Sequence, residues 1–488
     1  MITFFISLAA LVVGYLVYGS FVERVFSPDD RPTPAVAKAD GMDYVAMPYW
    51  KVFMIQFLNI AGTGPIFGAI MGAKFGPAAY LWIVFGCIFA GAVHDYFTGM
   101  LSMRNGGCDL PELVRKYLGG GASKVLLAFA VFLLVMLGTV FVYSPAEILH
   151  GIWGSTTLWI VLIFAYYVVA TMLPIDKIIG KVYPLFSFSL LFMAVALVAV
   201  LVVRMPQLPE LWDGLGNMGK AASPSTFTDS IFPCLFITIA CGAISGFHAT
   251  QSPLMARCLR SERKCRPIFY GAMITEGLVA LVWATVSMWF FYDAPQPGYE
   301  QIAGAADKGF LTSAPMVVNL VCKDWLGLLG GVLAMLGVVA APITSGDTAF
   351  RSARLIIAQA LRLNQCPKKN RLYICVPLFA ASFAMLVWQM ENPDGFNTIW
   401  QYFGWANQTL SVFALWTITV YLVRENKPYV ITLIPALFMT TVCTTFLMVS
   451  NTAFGLPYSV GYAVGGMALC IAIVWFAVWK KNVSKKHI

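Results

Sequence analysis

The sequence predicts an all-α polytopic membrane protein of about 13 transmembrane helices, built on a 5+5 inverted repeat with paired broken helices. Three observations predict it: the composition, the run of long apolar segments, and two glycine-bearing interruptions five segments apart. Of 488 residues, 59% are hydrophobic and 11% charged, against about 45–50% and about 25% in a soluble domain. Crossing a hydrocarbon core of about 30 Å takes roughly 20 apolar residues in a helix, and a helix satisfies its own backbone hydrogen bonds there. A β-barrel would alternate over short strands, and these segments do not.

Thirteen apolar segments are readable, at about 1–22, 49–72, 77–102, 123–143, 156–173, 181–203, 228–249, 268–292, 314–345, 372–389, 397–423, 429–450 and 457–479. Residues 1–22 lack a basic start and a small-residue cleavage site, so they read as a membrane helix and not a leader. The net charge of +9 comes mainly from short loops beside the apolar segments, which points to membrane topology and not to nucleic acid. Arg104, Arg115, Lys116 and Lys124, then Lys177 and Lys181, then Arg257 to Arg266, then Arg351, Arg354, Arg362 and Lys368 to Arg371, then Arg424 and Lys427, and finally Lys480 to Lys486 all fall on one side of a thirteen-span chain. The other side holds few, among them Lys74, Arg204 and Lys323. The positive-inside rule puts the C-terminus in the cytoplasm and the N-terminus outside.

The domain plan follows: a single membrane domain over 1–488, with an extra N-terminal helix at 1–22, a first five-helix repeat at 49–203, a second at 228–423, and two C-terminal helices at 429–479. The second segment carries Asn59-Ile60-Ala61-Gly62-Thr63-Gly64-Pro65, where proline removes a donor and the glycines admit non-helical backbone. The seventh carries Gly242, Ser245, Gly246 and His248 in a second small-residue interruption. An odd repeat length inverts the second copy, and paired broken helices expose backbone amides and carbonyls at mid-membrane, where small ligands and ions bind. The bland alternative is close helix packing at small residues. The expected solute-binding set is Gly62, Thr63, Gly64, Pro65, Gly242, Ser245, Gly246 and His248.

Ionisable groups at membrane depth are costly and mark ion paths or internal partners. His94, Asp95 and Glu276 are the candidates for ion coupling; His94 and Asp95 read equally as proton carriers or as a structural hydrogen bond between helices, and Glu276 reads as a cap on a neighbouring helix somewhat more than as a proton carrier. Thr344 and Ser345, placed near the end of the ninth segment, offer hydroxyls for a hard cation such as Na+, or bond back to their own helix. Gln401, Asn407 and Gln408 line a path or bond between helices. Lys and Arg are nearly absent at membrane depth on this reading. Eleven cysteines with no CxxC pair or Cys/His spacing read as packing residues, with no resident metal and no cofactor. There is no phosphate loop GxxxxGK[ST] for ATP-driven transport and no HExxH or GxSxG motif for a membrane enzyme. A secondary transporter is therefore favoured over a membrane-embedded enzyme or a receptor without transport.

Gly62-Thr63-Gly64-Pro65-Ile66 with Gly68-Ala69, then Phe75-Gly76-Pro77, Leu81-Trp82-Ile83, Gly91-Ala92-Val93-His94-Asp95-Tyr96, Leu110-Pro111-Glu112, Ser245-Gly246-Phe247-His248 with Gln251-Ser252-Pro253, and Thr344 through Arg351 together resemble the CstA carbon-starvation family over about residues 1–425. The resemblance implies a multi-pass bacterial inner-membrane transporter of small peptides or pyruvate, a LeuT-like architecture of the amino acid–polyamine–organocation group, and coupling to H+ or Na+. On that architecture Thr344 and Ser345 fall at the place of a sodium site built with the first broken helix. The resemblance also implies proton-linked pyruvate uptake, with His94 and Asp95 inside one of its motifs.

Overall fold

A computed structural model of the chain describes residues 1–172, 175–215, 230–292, 314–365, 367–392 and 395–486. Its helices are α1 (Ile2–Phe26), α2 (Tyr49–Ile60), α3 (Gly64–Gly72), α4 (Ala78–Arg104), α5 (Leu110–Tyr117), α6 (Gly120–His150), α7 (Thr156–Met172), α8 (Ile175–Arg204), α9 (Ile231–Thr238), α10 (His248–Ala256), α11 (Gly271–Tyr292), α12 (Ala314–Ala360), α13 (Lys368–Glu391), α14 (Gly395–Arg424), α15 (Val430–Val449) and α16 (Tyr458–Lys486). No strand occurs among the described residues.

The all-α polytopic class stands, and every apolar segment read from the sequence contains helix. The count of thirteen does not follow from helix length. Among the described residues, ten helices are long and apolar enough to cross a membrane, or eleven when α2 and α3, bent by 44° across their break, are taken as one span. The shortfall has two sources. α7 has only 17 residues, and α9 and α10 have 8 and 9, because the second interruption is longer than a kink.

Burial separates an inner group of helices from an outer one. The apolar window of α4 is 83% buried, whereas that of α16 is 17% buried; α4 is core and α16 rims the bundle. α12 lies along α6 and α8, α10 against α4, and α11 against α3. Two boundaries differ from the sequence reading. The ninth segment, expected to stop at 345, continues as helix to Ala360, so Thr344 and Ser345 lie inside it and Arg351 and Arg354 are fully buried. Lys74, read as a loop residue, is buried in the turn Ala73–Phe75 after α3.

Contacts gather most of the basic connections on one face. Arg104 meets Glu262 at 2.9 Å, Arg257 meets Asp109 at 2.7 Å, Arg263 meets Asp30 at 2.5 Å, and Lys427 reaches the Phe26 carbonyl at the end of α1 at 2.6 Å. Lys480 of α16 donates to Tyr429 at 2.6 Å. The Met1 amine binds Glu210 beyond α8 instead, at the other end of α1.

Candidate ion-coupling and solute site

Small residues on three helices let the second interruption pass through the core. After α9 the chain is non-helical from 239 to 247. A methyl on Gly91 of α4 would lie 2.1 Å from the Ala243 carbonyl, and one on Gly86 would lie 2.9 Å from the Ala243 side chain. A methyl on Gly242 would meet Ala280 of α11 at 2.4 Å. α4 widens into π-helix over Trp82–Gly91 along this contact, a distortion found often at functional sites. The backbone groups that the interruption frees find partners across helices. The Trp82 indole donates to the Ile239 carbonyl at 2.8 Å. The Gly246 amide donates to the Asn407 carbonyl at 3.2 Å, and Asn407 Oδ1 accepts from the Phe247 amide at 2.7 Å and the Ser245 hydroxyl at 3.1 Å. Gln408 donates to the Phe236 carbonyl at 2.8 Å. α14 is thus the clamp on this break, a role its polar residues left undecided in the sequence.

Four ionisable side chains assemble beside the clamp. Asp95 lies one turn beyond Gly91; its Oδ1 meets His94 Nδ1 at 2.8 Å and its Oδ2 meets His248 Nδ1 at 2.8 Å. On the far edge of the ring, His248 Nε2 faces Glu276 Oε2 at 3.3 Å. All four residues are 0% exposed. His94 and Asp95, which need not touch as helix neighbours, share a hydrogen bond, and His248 opens α10. A proton transferred across the 3.3 Å approach of His248 Nε2 to Glu276 would convert a buried ion pair into a neutral pair. Cys241 adds a soft donor: one ligand atom each from Cys241, His248 and Glu276 lie within 4.8 Å of one another. A sulfur, an imidazole and a carboxylate of this kind suit a transition-metal ion better than Na+; these three residues share no spacing in the sequence that marks a metal site.

The first interruption is shorter and differently furnished. α2 ends at Ile60 and α3 begins at Gly64 with Pro65 next to it. Ser345 donates to the freed carbonyls of Leu58 and Asn59, both at 3.0 Å. Thr344 instead bonds back to Ala340 and Ala341 at 2.8 and 2.9 Å. Of the two hydroxyls expected together, one faces the break and the other is used by its own helix. The side chains of Gln56, Asn59 and Thr63 are buried with no hydrogen-bond partner among the described residues. Thr63 was among the expected residues; Gln56 and Asn59 were not, although Asn59 adjoins the glycine motif. The two breaks meet: a methyl on Gly64 would lie 2.3 Å from Cys241 Sγ, and one on Gly68 would lie 2.9 Å from the Thr238 carbonyl. One on Gly62 would lie 2.7 Å from Phe141. Gly246 is pinned to α14, 2.2 Å from the Asn407 carbonyl by the same measure.

The sequence matches the family described as Carbon starvation protein CstA over residues 1–151, 142–306 and 304–446, beyond the 425 residues on which the motifs carry a resemblance. It is 28% identical to "Peptide transporter CstA" of Bacillus subtilis, covering 98% of this chain and 96% of that one. An "Uncharacterized membrane protein" of Haemophilus influenzae is 45% identical over 61% of this chain and 92% of its own length. Among solved structures, an Eremococcus coleocola manganese transporter matches with a TM-score of 0.56 at 11% identity, over 92% of this chain and 99% of that one. A Na+-coupled sialic acid symporter matches with a TM-score of 0.52 at 13% identity, over 97% and 96%. These structural likenesses show a shared transporter fold.

Proposed function

The chain belongs to the CstA carbon-starvation family of membrane transporters, and from that premise we propose that it is a secondary active symporter that imports a small organic nutrient, pyruvate or a small peptide, across the bacterial cytoplasmic membrane. The N-terminus is outside, the C-terminus is cytoplasmic, and the inverted repeats span 49–203 and 228–423, with 1–22 and 429–479 outside them. Solute binds where the two interruptions meet, between Gly62–Pro65 and Gly242–His248, and the unpartnered side chains of Gln56, Asn59 and Thr63 supply neutral polar contacts.

Protons drive the transport. The observation that carries this reading is the fully buried chain His94–Asp95–His248–Glu276, which joins α4, α10 and α11 at the second break. A purely structural network would pair each group once. Here His248 bonds to Asp95 and stands 3.3 Å from Glu276, His94 Nε2, His248 Nε2 and both Glu276 oxygens have no hydrogen-bond partner among the described residues, and one proton decides which members carry charge. In proteoliposomes, an imposed inward proton gradient should drive labelled pyruvate or dipeptide above its equilibrium level. Asp95→Asn should retain solute exchange while losing that accumulation.

Sodium is a second reading, favoured by one contact. Ser345 spans from α12 to the two carbonyls freed at the first break, the arrangement of oxygens a small hard cation takes. Uptake that persists in Asp95→Asn and vanishes on sodium withdrawal would replace the proton reading with this one.

A further inference from the structure

We propose that Arg351 and Arg354 of α12, with Arg371 of α13 beside them, form a carboxylate-binding site at the basic face of the bundle, and that Asp43 occupies it as a built-in competitor. The site lies apart from the two interruptions and deepens the transport reading by giving an anionic solute a station on its route; its existence as a binding site is testable without transport.

Two kinds of arginine stand at or behind the cavity of about 220 Å³ lined by Asp43, Tyr44, Asp109, Arg257, Gln359 and Gln365, among others: Arg257 lines it, whereas Arg351 and Arg354 lie behind its wall, at Asp43. Arg257 is satisfied: it donates to Asp109 at 2.7 Å and to the Gly107 carbonyl at 2.7 Å, the lengths of ordinary charge-assisted bonds. Arg354 and Arg351 are not. One Asp43 oxygen serves both, at 3.4 and 3.9 Å, too long for a strong pair. Arg351 otherwise donates to the Ala170 carbonyl, Arg354 to Gln365, and Arg371 to the Met172 carbonyl. Nε of all three arginines and Nη1 of Arg351 have no hydrogen-bond acceptor among the described residues. Arg351 and Arg354 are 0% exposed and Arg371 5%. Arg351 and Arg371 are close enough to Arg354 to repel its charge. The other carboxylate in range is Asp347, which takes a hydrogen bond from Tyr183 at 2.7 Å and makes no ion pair with either arginine within 4.0 Å.

Burying a guanidinium without full pairing costs several kcal/mol. A fold that fully pairs Arg257 on the same cavity and leaves Arg351 and Arg354 under-paired holds donors that a second carboxylate satisfies. A planar carboxylate fits the fork of a guanidinium with two parallel bonds. Access is through the cavity, because Asp43 and Gln365, the two residues that hold Arg354, line it. The carboxylate belongs to a small solute and not to a lipid, since a cavity of about 220 Å³ has no room for acyl chains.

The test is pyruvate binding by isothermal titration, with the full chain in nanodiscs of neutral phosphatidylcholine. Asp43→Asn removes the competitor and should tighten binding by about fivefold or more, and Arg354→Gln should weaken it by about tenfold or more. Arg115→Gln, an exposed charge on the neighbouring surface, should stay within about twofold of the parent. Arg354→Lys keeps the charge and serves if the glutamine variant fails to fold; it should bind pyruvate more weakly than the parent, because an ammonium lacks the fork. Binding that is unchanged or weaker in Asp43→Asn overturns the proposal. So does phosphatidylglycerol retained by the parent, lost in Arg354→Gln and able to abolish pyruvate binding, which would make the site a lipid site. If uptake fails in proteoliposomes but Asp43→Asn still tightens binding, the site stands and the transport reading falls.

Discussion

The two interruptions differ in what surrounds them. At the first, three polar side chains, Gln56, Asn59 and Thr63, are buried and unpartnered among the described residues, none of whose ionisable groups hydrogen-bonds to the break. At the second, the backbone is clamped by Asn407 and Gln408 of α14, and the ionisable chain runs from His94 to Glu276 beside it. Unsatisfied neutral groups in a core call for an explanation, of which a ligand that completes them is one, whereas a buried network of ionisable groups can hold a proton. On the proposed reading, solute contacts lie chiefly at the first break and energy coupling at the second, though the breaks touch at Gly64 and Cys241.

The largest effect should come from breaking the charged side. Asp95→Asn replaces an acceptor of two imidazole bonds by a carboxamide that cannot balance their charge. Gradient-driven accumulation should be abolished, with counterflow of pyruvate or dipeptide retained. Loss of both activities together in a well-folded variant would mean that Asp95 supports the binding geometry, and the division between the breaks would collapse.

Next comes the clamp. Asn407→Ala removes the acceptor of the Phe247 amide and the Ser245 hydroxyl, leaving two buried donors unpaired at about 1–3 kcal/mol each. A clear drop in thermal unfolding temperature in detergent is expected, with uptake falling in step. The opposite outcome, a stable variant with full uptake, would show that the break holds its shape through packing at Gly91 and Gly246 alone.

These contrasts divide what could be read from the sequence from what could not. The helices were legible because hydropathy over about 20 residues reports the bilayer directly. The first interruption was legible because Pro65 and three nearby glycines are local signals. His94, Asp95, His248 and Glu276 were each legible as costly residues, but their union was not. They come from three segments, and their meeting depends on Gly86, Gly91 and Ala280, which admit the second break to the core. The end of the ninth segment was misread because Arg351 and Arg354 look like a loop in a hydropathy profile. At 1.5 Å per residue, the stretch Gly330–Ala360 extends about 46 Å, well past a hydrocarbon core of about 30 Å, so the helix carries its arginines into a buried site on the protein's own face.

A smaller effect sharpens the choice of ion. Ser345→Ala loses one hydroxyl shared between two carbonyls, worth about 1 kcal/mol. With protons as the driver, uptake should remain near the parent level and be unaltered by replacing sodium with choline. A parent protein that needs sodium, and loses that need in Ser345→Ala but not in Thr344→Ala, would move the coupling to the first break.

The smallest effect on the fold, and the most informative for the solute, is expected at Asn59. Its amide nitrogen and oxygen have no partner among the described residues, so Asn59→Ala breaks no hydrogen bond and removes a polar group whose burial is itself unfavourable. Stability should change by less than about 1 kcal/mol, and a slight gain is compatible with the argument. Transport responds differently if the amide meets the solute. An unpaired polar group on the solute then replaces a paired one, and the apparent KM should rise about tenfold while the maximal rate in saturating solute is little altered. Asn59→Asp separates this from a packing effect, since it keeps the shape and adds a negative charge that disfavours a carboxylate. Uptake that is lower in Asn59→Asp than in Asn59→Ala supports direct contact with an anionic solute. Equal KM values in all three proteins would remove the first break from solute recognition and leave the second to do both tasks.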